Sequence, residues 1–274
     1  MRLEYINWNI DPEIFNLFGI SIRYYGILFV GGLVLSLSFL NLMYKKEGIP
    51  IEYLDTLAIY GMIGIFLGAR LVHCIFYEGA YYLSNPVEIF LPIQSTGDGS
   101  YEFSGYHGLA SHGGVLGMAA ALWLYIIKTK IPIGTTLGLL AIVAPLAACF
   151  IRLANLMNSE ILGQETEVAW AFIFERIDMI PRHPAQLYEA ISYFFIFLFT
   201  FIMYQYKRFS IGPYFYFGLS LSLVFTSRFL IEFIKETQVG FEQGWYLNMG
   251  QWLSLPFIAI GLLFLGVSLF KKTI

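Results

Sequence analysis

Residues Thr136–Met157 read TLGLLAIVAPLAACFIRLANLM. At 1.5 Å per residue, a helix of this length crosses the roughly 30 Å hydrocarbon core of a bilayer. Near its end stand Arg152 and Asn155, three residues apart and therefore on one helix face. A charge at the bilayer centre costs at least about 2.5–3.5 kcal/mol on the insertion scale. Such a residue persists where it is paired, faces a cavity or takes part in chemistry.

The rest of the chain has the same character. Of 274 residues, 58% are hydrophobic and only 13% charged, with a mean hydropathy of +0.67. Soluble proteins carry about 25% charged residues, so this composition describes a polytopic membrane protein and excludes a disordered one. The balance of 16 Lys+Arg against 19 Asp+Glu shows no basic surplus for nucleic acid. Cys74 and Cys149 lie far apart in apolar runs, without zinc spacing or a disulfide framework. No cofactor and no metal is indicated.

Seven candidate spans run near Ile22–Met43, Tyr53–Phe76, His107–Ile127, Thr136–Met157, Ala185–Tyr206, Gly212–Ile234 and Met249–Phe270. The fold class is therefore all-α, a single integral membrane domain over residues 1–274. Lys45 with Lys46, Lys128 with Lys130, Lys207 with Arg208, and Lys271 with Lys272 follow alternate spans and fall on one side. The opposite loop, Glu78–Tyr106, has no Lys or Arg. The positive-inside rule then puts the N-terminus outside and the C-terminus in the cytoplasm. The polar and aromatic N-terminal stretch suits an interfacial piece, and no cleavable signal peptide is evident. Two outward connections, Glu78–Tyr106 and Asn158–Pro184, are long, and long loops usually carry function.

Span-associated arginines (Arg23, Arg70, Arg152, Arg228) outnumber the carboxylates Glu189 and Glu232. A surplus of guanidinium needs an anion, and its forked donors match phosphate. Arg228 and Glu232 are four residues apart and suit an intrahelical pair. His112, in Ser111-His112-Gly113-Gly114, reads equally as a polar packing residue or a functional one. His183, beside Pro184, suits a helix boundary. Gly61, Gly64, Gly68 and Ala69 mark helix contacts. The last span has no internal lysine for a retinal Schiff base, and the chain lacks HExxH, GxSxG and GxxxxGK[ST]. It also shows no paired broken helices of the transporter kind.

Seven stretches, in order, resemble the bacterial prolipoprotein diacylglyceryl transferases. They are Ile22-Arg23-Tyr24-Tyr25-Gly26, Gly68-Ala69-Arg70, Ser111-His112-Gly113-Gly114, and Arg152 through Asn155, Asn158 and Glu160 to Gly163. Arg182-His183-Pro184-Ala185-Gln186-Leu187-Tyr188-Glu189, Arg228-Phe229-Leu230-Ile231-Glu232-Phe233 and Asn248-Met249-Gly250-Gln251-Trp252-Leu253-Ser254 complete the set. The chain departs from the family pattern at Ile151, Ala154 and Ser159, where glycines usually stand. It departs also at Gln164, usually arginine, and at Val224, usually tyrosine.

The resemblance implies transfer of the diacylglyceryl group of phosphatidylglycerol to the lipobox cysteine of a prolipoprotein signal peptide, in a bacterial inner membrane among its lipids. It implies Arg152 and Arg228 on the phosphate, Asn155 as a polar aid, and Glu232 holding Arg228. Asn158 and Glu160 belong to the binding set, with Glu160 at the outer mouth. His112 is the implied general base, and Tyr25 orients the headgroup or shares proton traffic. Two rivals also explain polar residues in spans: a non-catalytic phospholipid-binding or transport protein, and a structural membrane subunit.

Overall fold

The computed structural model describes residues 5–17, 20–96, 100–103, 108–207, 211–236 and 246–270. Nine α-helices dominate them: α1 (Tyr24–Glu47), α2 (Ile51–Phe76), α3 (Gly79–Ser84), α4 (Val87–Phe90), α5 (Ser111–Thr129), α6 (Ile133–Met157), α7 (Ala185–Lys207), α8 (Pro213–Ile231) and α9 (Met249–Phe270). Six of these, α1, α2, α6, α7, α8 with its 3-10 extension, and α9, are long and apolar enough to cross a membrane. The seventh expected span corresponds to α5, a helix of 19 residues that opens on the polar turn Ser111-His112 and is not one of those six. Arg208, Lys271, Lys272, His107 and Tyr106 lie outside the described residues.

Seven short strands of two to five residues qualify the all-α expectation: β1 (Ile6–Trp8), β2 (Glu13–Leu17), β3 (Ile20–Arg23), β4 (Ile93–Ser95), β5 (Tyr101–Phe103), β6 (Phe172–Phe174) and β7 (Pro181–Arg182). All lie outside the long helices, where the connections satisfy their backbone groups by pairing with one another.

The chain forms two compact units. One comprises residues 1–43 and 133–274. In it, β1 runs parallel to β6, and β6 antiparallel to β7. The Trp8 indole donates to the Leu156 carbonyl at 3.1 Å and lies against Phe172, with ring centroids 5.3 Å apart. Leu156, Leu162, Phe172 and Phe174 form the apolar floor beneath this sheet. The sheet therefore fixes the segment that follows α6. Pro145 inside α6 removes one N–H and orphans the Ala141 carbonyl, and the Ser220 hydroxyl of α8 donates to that oxygen.

The second unit comprises residues 44–132. Here α2 and α5 meet backbone to backbone. A Cβ on Gly64 would stand 2.5 Å from the Gly117 carbonyl oxygen, and one on Gly68 or Gly113 would run into the other's carbonyl. This bears out the small-residue contact expected of Gly64 and Gly68. Tyr44 and Tyr125, both buried, share a 2.9 Å hydroxyl contact.

Arg70 belongs to this unit and has a different duty from the one its sequence context suggested. Its guanidinium donates to the carbonyls of Glu88, Ile89 (3.1 Å) and Gly108 (3.3 Å) and stacks 4.8 Å from the Tyr82 ring. The Glu88 carboxylate in turn accepts from Tyr81 and from the Ser95 amide, and that contact raises the Tyr81 hydroxyl above its ordinary pKa. Arg70 thus folds the Glu78–Tyr106 connection and drops out of the anion-binding surplus.

Candidate functional site

The first unit collects its polar side chains at one end of α6, α7 and α8. Arg152 stands in the last turns of α6, Glu189 in the second turn of α7, and Arg228 near the end of α8. The Arg152 Nε lies 2.9 Å from Oε2 of Glu189, which is fully buried. This is an ion contact in which the N–H is not aligned as a hydrogen bond, since Oε2 has no hydrogen-bond partner among the described residues. Arg152 also donates to Oδ1 of Asn155 at 3.2 Å. Asn155 donates to Oε2 of Glu160 at 3.2 Å, and Asn158 to Oε1 at 2.8 Å. Arg152, Asn155, Asn158 and Glu160 are thus one connected chain.

The turn carrying Glu160 is strained. Ser159 (φ 54°) and Ile161 (φ 58°) flank it in the left-handed region. That region costs an L-residue roughly 1–2 kcal/mol. Where the family usually has glycine, this chain holds Ser159 in a conformation glycine adopts freely. The departure at Val224 is a packing one, against a core that includes Cys149, Ala190, Tyr193 and Ile196.

Glu232 corrects an expectation. It does not pair with Arg228; its Oε2 lies 3.0 Å from the ammonium of Lys235. Lys235 also reaches Oε1 of Glu189 at 2.9 Å and is 2% exposed. Glu232 keeps helical register with Arg228, its N–H donating to the Arg228 carbonyl, and the 3-10 turn at Glu232–Ile234 that follows leads into Lys235, which takes the carboxylate. Reasoning from the sequence missed Lys235 altogether. The signal was available as the sole lysine in the stretch after Glu232 and before the next span.

Two further segments hold this cluster. Gly163 bridges to Lys235, the Gln164 amide N–H donates to Ile234, and the Gln164 side chain donates to the Lys235 carbonyl at 3.0 Å. Gln164 therefore acts on backbone, where an arginine is usual. At the start of α9, Asn248 and Gln251 cap each other reciprocally, each side chain accepting from the other's amide at 2.9–3.0 Å. Gly250 covers Glu232 so closely that a Cβ there would lie 2.5 Å from its carboxyl carbon.

The charge count follows. Two cations, Arg152 and Lys235, are in ion contact with two carboxylates, Glu189 and Glu232, while the exposed Glu160 joins only through Asn155 and Asn158. Arg228 is left over: among the described residues it forms no ion pair. Its field and that of Arg152 both fall on the Tyr193 hydroxyl, which itself donates to Glu189 at 3.3 Å.

Tyr25 lies in the first turn of α1 and lines a cavity of about 1010 Å³. Arg23, Asn158 and Glu160 form its polar end, and Ile27, Val30 and Val34 its apolar wall. That wall is 51–55% exposed, as a face turned to lipid would be. Oδ1 of Asn158 is buried without a hydrogen-bond partner. His112 belongs to the other unit, where it opens α5 with its side chain exposed. His183 contacts the Tyr188 hydroxyl at 3.2 Å, and burial holds its pKa below the ordinary value. Among the described residues no His/Cys/Asp/Glu group is arranged to hold a metal.

Residues 12–267 match the family model described as prolipoprotein diacylglyceryl transferase. The chain belongs to that family. A protein of Bacteroides fragilis named phosphatidylglycerol–prolipoprotein diacylglyceryl transferase is 51% identical over 98% of this chain and 97% of its own length. A protein of the same name from Tolumonas auensis is 42% identical, over 97% of this chain and 98% of its own. A third, from Chloroherpeton thalassium, is 40% identical over 95% and 93%.

Proposed function

We propose that this chain transfers the diacylglyceryl group of phosphatidylglycerol to the lipobox cysteine of a prolipoprotein, in the inner membrane of a bacterium. With α5 taken as a seventh crossing and the N-terminus outside, the end of α6, the start of α7 and the loop between them face the outer side. The observation that carries this reading is Arg228, without an ion pair among the described residues, near the balanced cluster of Arg152, Glu189, Lys235 and Glu232. A guanidinium there lacks only an anion, and a phosphodiester supplies one.

In this reading Arg228 and Arg152 hold the phosphate oxygens, with Asn155 keeping the Arg152 guanidinium in place. The cysteine sulfur attacks the glyceryl carbon that bears the phosphate ester. The carbon–oxygen bond breaks, its electron pair leaves with the phosphate oxygen, and a thioether and glycerol phosphate result. Preorganised donors stabilise the charge developing on that oxygen. The thiol, with an unperturbed pKa of about 8.5, needs a general base, the role that the family resemblance implies for His112. Tyr25, Asn158 and Glu160 line the polar end of the cavity, where the headgroup's hydroxyls would lie. The apolar wall of Ile27, Val30 and Val34 suits the acyl chains.

Purified protein in detergent, given phosphatidylglycerol and a lipobox peptide, should release glycerol phosphate and make a thioether-linked peptide. The Cys→Ser peptide should give neither. Lipid that binds but is not consumed would overturn the transferase reading in favour of a lipid-binding or transport protein.

A further inference from the structure

The cluster holds a buried cation that the transfer chemistry just described does not use. Arg228 and Glu232 stand four residues apart near the end of α8, the spacing at which opposite charges on a helix ordinarily meet. They do not meet here. The Lys235 ammonium takes Glu232 at 3.0 Å and Glu189 at 2.9 Å instead. It is delivered on a rigid backbone: Gly163 bridges to Lys235, Glu236 N donates to the Leu162 carbonyl, and the Gln164 side chain donates to the Lys235 carbonyl. Gly250 closes over the far side of the Glu232 carboxyl.

We propose that Lys235 is a positioning residue that keeps Glu232 and Glu189 occupied so that Arg228 stays open to the phosphate of the lipid substrate. This rests on the transferase reading for its substrate, but its logic is charge balance. Where water is scarce, a carboxylate left alone takes the nearest cation. Without the ammonium, Glu232 has Arg228 one helical turn away, and an internal pair replaces the external anion.

The test compares wild type, Lys235→Met, Lys235→Arg, Arg228→Ala and the double variant Lys235→Met,Glu232→Gln. Affinity for phosphatidylglycerol over phosphatidylcholine is measured in nanodiscs, and KM and kcat for glycerol phosphate release are measured in detergent. Lys235→Met should bind phosphatidylglycerol at least tenfold more weakly, with the loss appearing in KM. Lys235→Arg should restore affinity to within threefold of wild type. The double variant should recover at least tenfold over Lys235→Met, because the carboxylate one turn from Arg228 is gone and Glu189 keeps Arg152. A merely structural lysine gives no such rescue. Where Lys235→Met does not fold, the double variant, whose remaining buried charges keep the same surplus, must bind at least tenfold tighter than Arg228→Ala. Unchanged affinity in Lys235→Met, or a double variant that shows neither gain, overturns the proposal. Failure of the transferase reading is seen separately, as wild type that binds the lipid and yields no thioether, and the binding arm still decides the role of Lys235.

Discussion

Replacing Arg152 and Arg228 in turn by alanine separates two kinds of arginine. Arg152 is 14% exposed and contacts a fully buried Glu189 at 2.9 Å. Breaking a buried pair by removing one partner costs about 3–5 kcal/mol, because the other charge is stranded. At about 2–4 °C per kcal/mol for a protein of this size, the melting temperature of Arg152→Ala should fall by on the order of 10 °C. Lys235 still faces Glu189 at 2.9 Å, which favours the low end of that range. Arg228 has no ion-pair partner among the described residues, so its removal strands nothing. Its melting temperature should stay within a degree or two of wild type or rise. Turnover should behave differently. Losing a donor to the developing phosphate charge costs roughly 10²–10³ in rate, about 2.7–4 kcal/mol. Both variants should therefore lose glycerol phosphate release, while only Arg152→Ala loses stability. The assays are differential scanning fluorimetry in detergent and release of labelled glycerol phosphate. Arg228→Ala that keeps more than a tenth of wild-type turnover, or melts as low as Arg152→Ala, refutes the charge count on which the site rests.

Other outcomes follow from particular residues. Ser159→Gly should raise stability by about 1 kcal/mol, because φ 54° costs serine and not glycine; a fall in melting temperature would contradict it. Gly117→Leu should uncouple α2 from α5 and cost roughly 1–3 kcal/mol or more, read as loss of folded protein in size-exclusion chromatography, since even a Cβ there meets the Gly64 backbone. The depressed His183 pKa gives an acid dependence. The folded state holds its imidazole neutral, so the unfolded chain takes up a proton first as pH falls below about 6.5. Melting temperature should therefore drop across that window, and His183→Asn should flatten the drop.

Six of the seven expected spans were legible, because apolar length is a one-dimensional property, and the polar residues within them stood out by cost alone. Gly64 and Gly68 were legible as contacts for the same reason: in a membrane helix small residues have few other uses. Arg70 was misread. Its partners are backbone carbonyls at Glu88, Ile89 and Gly108, and carbonyls carry no mark in a sequence. Lys235 was missed because it lies past the end of α8 and its partners, Glu189 and Glu232, stand 46 and 3 residues away. The short strands have no period to detect; β1 pairs with β6 across more than half the chain's length. The roles of His112 and Tyr25 stand on the family resemblance.

The contact between α2 and α5 has a mechanical consequence. Side chains ordinarily serve as bearings between helices, letting one roll against another by changing rotamer. At Gly64, Gly68, Gly113 and Gly117 there is no such bearing, only peptide planes locked like the teeth of two racks. His112 is the residue next to one of those teeth. Its imidazole can swivel about its own bonds, while its point of attachment is set by the backbone contact between Gly113 and Gly68.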